Sequence, residues 1–196
     1  MNYKPIIIIA GEPNSIFLEI FFKSIKKRFN SPIILIASLE ILKNQMNKLK
    51  FHKKINLINY KKLKEYKLNN NSINLIDVAY NQKKTFTKIS EKSNIYIKNS
   101  FEIAFEILNN GFSNKLINGP ISKKNFLKSK FLGMTEYISS KYKIKENAML
   151  IHNKNLSVCP LTTHLPLKKV VKKINKKKII NQVFLIDNFY RERFNI

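Results

Sequence analysis

An apolar run from Leu156 to Leu161 stops in Thr162-Thr163-His164-Leu165-Pro166-Leu167. Two hydroxyls, an imidazole and a proline-bracketed turn thus follow a strand-like stretch, and from Lys168 the residues take up a helical period. In α/β proteins, ligand and catalytic groups collect where a strand gives way to the next helix. A neutral imidazole at such a place can bind a divalent metal or move a proton. It can equally do no more than satisfy its own turn. Two other junctions share this pattern. Gly11-Glu12-Pro13-Asn14-Ser15 follows one apolar run, and Asn118-Gly119-Pro120-Ile121-Ser122-Lys123-Lys124 follows Leu116-Ile117. Gly119 permits close backbone approach. Lys123 or Lys124 can meet an anionic ligand group, or both can be solvated side chains of a surface turn.

The elements that must position these groups are legible from periodicity. Lys4–Ala10 and Pro32–Ala37 are continuous apolar runs, the pattern of strands buried on both faces. Asn14 or Ser15 is the expected N-cap of an amphipathic helix from Ile16 to Lys27, and Ser38 that of a helix to Lys48. Strand–helix–strand–helix predicts a parallel sheet with crossover helices. Ile55–Ile58 and Ile73–Val78 are candidate strands on either side of the polar stretch from Lys61 to Ser72. From Asn94 a helical face carries Ile97, Phe101, Ala104 and Leu108, and Gly111 stands where a left-handed C-terminal residue is expected. Thr135 is the expected N-cap of a helix to Tyr142. Ala148–His152 and Leu156–Leu161 predict a hairpin turning at Asn153-Lys154-Asn155. Ile179, Val183, Ile186, Tyr190 and Phe194 form one stripe of a long final helix.

Length and composition bound the function. The 196 residues suffice for one substantial domain or two small lobes, and 44% of them are hydrophobic. The longest apolar runs are strand-sized, so no membrane span is expected, and the first residues lead directly into a strand rather than a signal peptide. The single cysteine, Cys159, fits a reducing compartment, which makes a cytoplasmic location the expectation. The net charge of +25 invites a nucleic-acid partner. Against that, Arg28, Arg191 and Arg193 are the only arginines among 37 basic residues. Base-edge recognition leans on arginine forks. The lysines are dispersed among asparagines and isoleucines, residues that share AT-rich codons, so no specific nucleic-acid partner is expected.

Taken in order, Gly11-Glu12-Pro13, Lys88-Ile89-Ser90 before a long helix, Gly119-Pro120 with Lys123, Gly133 with Thr135-Glu136, and Thr162-Thr163-His164-Leu165-Pro166-Leu167 resemble the 4-hydroxythreonine-4-phosphate dehydrogenase family of pyridoxal phosphate biosynthesis. The resemblance runs along nearly the whole chain, and the TTHLPL stretch is its most specific part. It implies an α/β fold similar to isocitrate and isopropylmalate dehydrogenases, with two lobes flanking a cleft. A first α/β lobe would span 1–120 and an incomplete second lobe 121–196. The implied reaction is oxidation of the secondary alcohol of 4-phosphooxy-threonine with NAD, after which the β-keto acid loses carbon dioxide. The family's divalent metal, zinc, magnesium or cobalt, is held by three histidines. His164 matches the first of them, Thr135 matches a substrate contact, and Met134 and Lys123 are the further positions expected to bind substrate. No catalytic residue is assigned. The partners implied are a small phosphorylated hydroxy-amino acid and a second copy of the chain in a homodimer.

The departures from the family pattern are specific. Ser15 and Phe17 stand where glycines are usual, Ser122 where a histidine is common, and Met134 where a histidine usually precedes the substrate threonine. Family members are longer, so the resemblance implies that the C-terminal part is missing, with the second and third metal histidines. His52 and His152, the other histidines, fall in no matching motif. A dehydrogenase of a related 4-phospho-threonate or 4-phospho-erythronate, and a non-catalytic remnant, are the competing expectations.

Overall fold

The computed structural model describes residues 3–82, 86–87, 90–127, 130–144 and 146–194. They fall into two compact units, Met1–Phe126 and Leu127–Ile196. Of the motifs read from the sequence, Lys88 and Ile89 lie outside the described residues.

The apolar runs of the first unit become a five-stranded parallel sheet. Its strands are β1 (Ile6–Ile9), β2 (Ile33–Ala37), β3 (Ile55–Leu57), β4 (Ile73–Asp77) and β5 (Leu116–Asn118), in spatial order β3-β4-β2-β1-β5. Side chains alternate across a strand, and both faces are covered here. On one face Ile8, Leu35 and Leu75 share a core with Leu18, Phe21 and Phe22 of α1 (Phe17–Ser24) and Ile41, Leu42 and Met46 of α2 (Leu39–Lys48). Their neighbours Ile7, Ile9, Ile34 and Ile36 are fully buried too. The 17-residue α3 (Ser93–Asn109) packs against β1 and β2 with Ile97, Phe101 and Ala104 inaccessible.

Local chemistry sets the ends of these elements. Ser38 Oγ accepts the Ile41 N–H as the expected cap of α2. Gly111 is left-handed at φ 68° after α3. The polar stretch before β4 holds a 3-10 helix at Tyr60–Glu65, and Asn74, a buried amide in β4, donates to the carbonyls of Ile33 and Asn69. The start of α1 differs from expectation. Its N-cap is Ile16, which offers no side-chain bond, and Ser15 Oγ instead accepts from the Phe17 N–H at 3.3 Å. The helix also ends at Ser24 rather than Lys27. A short α4 (Lys123–Phe126) closes this unit.

The second unit contains α5 (Met134–Lys141), α6 (Leu167–Val170) with a 3-10 turn at Val171–Lys173, and the 19-residue α7 (Lys176–Phe194). Gly133, not Thr135, is the N-cap of α5. Its carbonyl takes the Tyr137 N–H at 3.2 Å, so the first turn starts two residues earlier and Thr135 lies inside it. The predicted hairpin turns where expected, with Asn153 N–H on the Leu156 carbonyl, but pairing is confined to one antiparallel bridge, Ile151 to Val158. Both bridge residues and Leu156 are at least half exposed. A two-stranded ribbon with no buried face has nothing to extend it.

The stripe on α7 is largely uncovered. Ile179, Val183 and Phe194 are exposed, whereas Ile186 and Tyr190 are half-buried. Polar anchors orient the helix: Gln182 Nε2 meets Cys159 Sγ at 3.0 Å, and the Tyr190 hydroxyl donates to Ser157 Oγ at 2.7 Å. Among the described residues, no helix is long and apolar enough to cross a membrane.

Candidate functional site

Two places concentrate the residues singled out by sequence. In the first unit the chain leaves β1 for one side of the sheet and reaches β5 on the other, so the ends of these adjacent strands form a topological switch point, the usual location of ligands in open α/β sheets. The two glycine-proline turns meet there. Gly119 N–H donates to the Ile9 carbonyl at 2.7 Å and Glu12 N–H to the Pro120 carbonyl at 2.8 Å. Gly11 is left-handed at φ 75°, and a Cβ on it would lie 2.5 Å from the Pro120 oxygen. A Cβ on Gly119 would lie 2.1 Å from the Ala10 oxygen. Neither site has room for a side chain.

Glu12, between them, is 3% exposed. One carboxylate oxygen accepts the Ser93 hydroxyl at 2.9 Å at the start of α3, and the other, Oε1, has no partner. Burial pushes this carboxyl above its ordinary value of 4.5, against the opposing bonds from Ser93 and the Asn14 backbone. Burial, and then the charge of Glu12, likewise raise the Tyr80 phenol. Asn14 and Gln82 pair their side-chain amides at 2.7 and 3.2 Å, and Asn14 also takes the Thr87 N–H. Lys123 is exposed at the start of α4 in this unit.

The second unit holds a cavity of about 590 Å³. Thr135, the Pro160–Leu165 segment with Thr162, Thr163 and His164, and the lysines Lys173, Lys177 and Lys178 line it. The structure thus brings Thr135 and His164 together in one cavity. Met134 is half-buried and, like Lys123, is not part of the lining. His164 adopts φ 56°, a left-handed conformation uncommon for a residue with a side chain and often found at functional sites. Glu136, Glu146 and the three lysines escaped the sequence reading as site residues. The glutamate directly after Thr135 was the available signal for the first; the lysines were indistinguishable from the many solvated ones.

Whether these groups fit a metal can be judged from the donors. Zinc sites generally draw three or four ligands from the protein. His164 and Glu136 supply an imidazole nitrogen and a carboxylate to the cavity. Among the described residues no three His, Cys, Asp or Glu side chains gather in a metal-holding group. The described residues of one chain therefore fall short of a metal centre.

Comparison with known proteins gives a consistent result. Residues 28–196 match the family model described as "Pyridoxal phosphate biosynthetic protein PdxA". A 4-hydroxythreonine-4-phosphate dehydrogenase of Sulfurihydrogenibium sp. (strain YO3AOP1) is 32% identical over 197 residues, covering 96% of this chain and 58% of the relative. The enzyme of that name from Wigglesworthia glossinidia brevipalpis is 26% identical, covering 97% and 58%. This chain therefore spans 58% of the length of each of these relatives. Among solved structures, 4-hydroxythreonine-4-phosphate dehydrogenases from Klebsiella pneumoniae and Burkholderia phymatum superpose with TM-scores of 0.82 and 0.80 at 19% and 20% identity. They cover 96% and 93% of this chain, and 58% and 57% of their own. At such identities the structural likeness speaks to the α/β fold.

Proposed function

The chain belongs to the PdxA family of pyridoxal phosphate biosynthesis, and on that premise we propose that it serves the NAD-dependent oxidation of 4-phosphooxy-threonine. The observation that carries this reading is the cavity of the second unit, where Thr135 and His164 meet beside three lysines. The substrate offers a phosphate, a secondary alcohol and a carboxylate. The Thr135 hydroxyl can both donate to and accept from a substrate oxygen. Lys173, Lys177 and Lys178 counter the charge of its anionic ends. The Thr162 and Thr163 hydroxyls supply further donors where the alcohol would lie.

Oxidation takes a hydride from the carbinol carbon and a proton from its oxygen. When bound, NAD would supply the acceptor for that hydride, the proton would pass to solvent, and the β-keto acid product would then lose carbon dioxide. His164 is the residue assigned to a divalent metal, zinc, magnesium or cobalt. Because the donors present are fewer than such a centre needs, binding rather than turnover is the contribution expected of the described residues. Lys123 and Met134, the other substrate contacts that the resemblance suggested, stand outside the lining of this cavity. The fold class assigned is that of the isocitrate and isopropylmalate dehydrogenases, with a second lobe beginning near residue 121, and the working form is a cytoplasmic homodimer.

A second reading, a dehydrogenase of 4-phospho-threonate or 4-phospho-erythronate, rests on Met134. Met134 stands where the family pattern has a histidine, and its thioether offers neither charge nor proton. Calorimetric titration with the three phosphorylated acids, with and without NAD, separates the two. Tightest binding of 4-phosphooxy-threonine is expected. Preference for either of the other acids supports the second reading, and absence of binding by all three refutes both and leaves a non-catalytic remnant. Formation of NADH by the chain alone would show that fewer metal donors suffice than we infer.

A further inference from the structure

Glu136 carries a buried carboxylate oxygen, Oε2, with no hydrogen-bond partner. Buried polar atoms are almost always paired, so an orphaned acceptor calls for a donor nearby. The candidate is an imidazole. A Cβ placed on Gly133 would lie 2.9 Å from Glu136 Oε2 and 3.2 Å from His164 Nε2. The two atoms are therefore no farther apart than the sum of those distances and face the same space above Gly133, without bonding in this structure. Gly133 is extended at φ −161°, a conformation open to any residue. A Cβ there would meet only side-chain atoms, the Glu136 carboxylate and the His164 ring.

We infer that Glu136 is a positioning residue for His164: its carboxylate accepts the Nε2–H across Gly133, fixing the tautomer and leaving Nδ1 free to accept a proton or meet a ligand. Both residues line the same cavity, and closing the pair requires side-chain movement alone. A neighbouring carboxylate is the common means by which a functional histidine is oriented.

The competing account is local. Glu136 is the third residue of α5, the position from which a glutamate can reach back to cap the first turn. No such bond to Gly133 N–H forms here, although the side chain does fold back over Gly133. The two accounts differ in what happens to His164.

The assignment rests on the functional reading of the cavity, but its test needs no substrate, NAD or metal. The chain has three histidines, His52, His152 and His164, so nitrogen-15 spectra of the neutral rings resolve each tautomer. In wild type His164 is expected to carry its proton on Nε2. Glu136→Ala should shift that tautomer ratio about fivefold, the scale of one net hydrogen bond, with His52 and His152 unmoved. Glu136→Gln, which keeps an acceptor oxygen, should restore most of it. Gly133→Ala should perturb the ratio without altering either partner, and these two variants decide the matter if Glu136→Ala does not fold. An unchanged His164 tautomer in the folded variants, accompanied only by loss of helix stability, would overturn the inference in favour of capping.

Discussion

Replacing Gly119 by alanine tests the junction of the two glycine-proline turns most severely. The added Cβ would sit 2.1 Å from the Ala10 oxygen and 2.7 Å from its carbon. Both are backbone atoms of the segment leaving β1, so no side-chain rotation relieves the clash. Overpacking of this kind costs about 1–3 kcal/mol. The shift must also loosen Gly119 N–H to the Ile9 carbonyl and Glu12 N–H to the Pro120 carbonyl, each worth about 1 kcal/mol. The total is about 3–5 kcal/mol, which lowers the melting temperature by roughly 15 °C for a unit of this size. Gly111→Ala is the control. Nothing lies within 4 Å of a Cβ there, and only the φ of 68° opposes the change. That strain costs about 1–2 kcal/mol, or roughly 5 °C. Thermal melts followed by circular dichroism compare the two. If Gly119→Ala melted as high as Gly111→Ala, the tight crossing of the turns would be wrong.

Two further outcomes concern the first unit. Because burial raises the Glu12 carboxyl above 4.5, folding favours its protonated form. Its contribution is full below pH 4.5 and is lost as pH rises through the folded value. Glu12→Gln, which mimics the protonated state, should gain stability relative to wild type as pH rises from acid to neutral. Equal stability differences across a pH series of melts would contradict this. Phe101, inaccessible and in ring contact with Phe105 and Phe126, should cost about 3–5 kcal/mol when cut to alanine. A denaturant midpoint near wild type would show that α3 is not packed as described.

Where periodicity and burial agree, the fold could be read from the chain. The isoleucine runs of β1 and β2 have no polar position, and Ser38 precedes its helix at the distance a cap requires, so their boundaries fell close to expectation. Strand order could not be read, because nothing local tells β5 to pair with β1 rather than β4. The second unit was less legible for a physical reason. Its hairpin and α7 bury no full apolar face, so apolar spacing did not predict which residues turn inward; single polar bonds from Gln182 and Tyr190 set that orientation instead. At the site, His164 and Thr135 stood out by residue type and motif. Glu136 did not, because its significance lies in an orphaned oxygen beside a glycine, and burial of single atoms leaves no mark in a sequence.

The central claim is that the cavity of the second unit receives the phosphorylated hydroxy-amino acid. Amide and side-chain shift mapping by NMR during titration with 4-phosphooxy-threonine tests it directly. The account predicts saturable shifts at Thr135, Thr163 and His164 and at Lys173, Lys177 and Lys178. It also predicts affinity about tenfold weaker in Thr135→Val, as loss of one hydrogen bond to a charged group implies. Shifts confined to the Gly11 and Gly119 turns, or undiminished affinity in Thr135→Val, would contradict it.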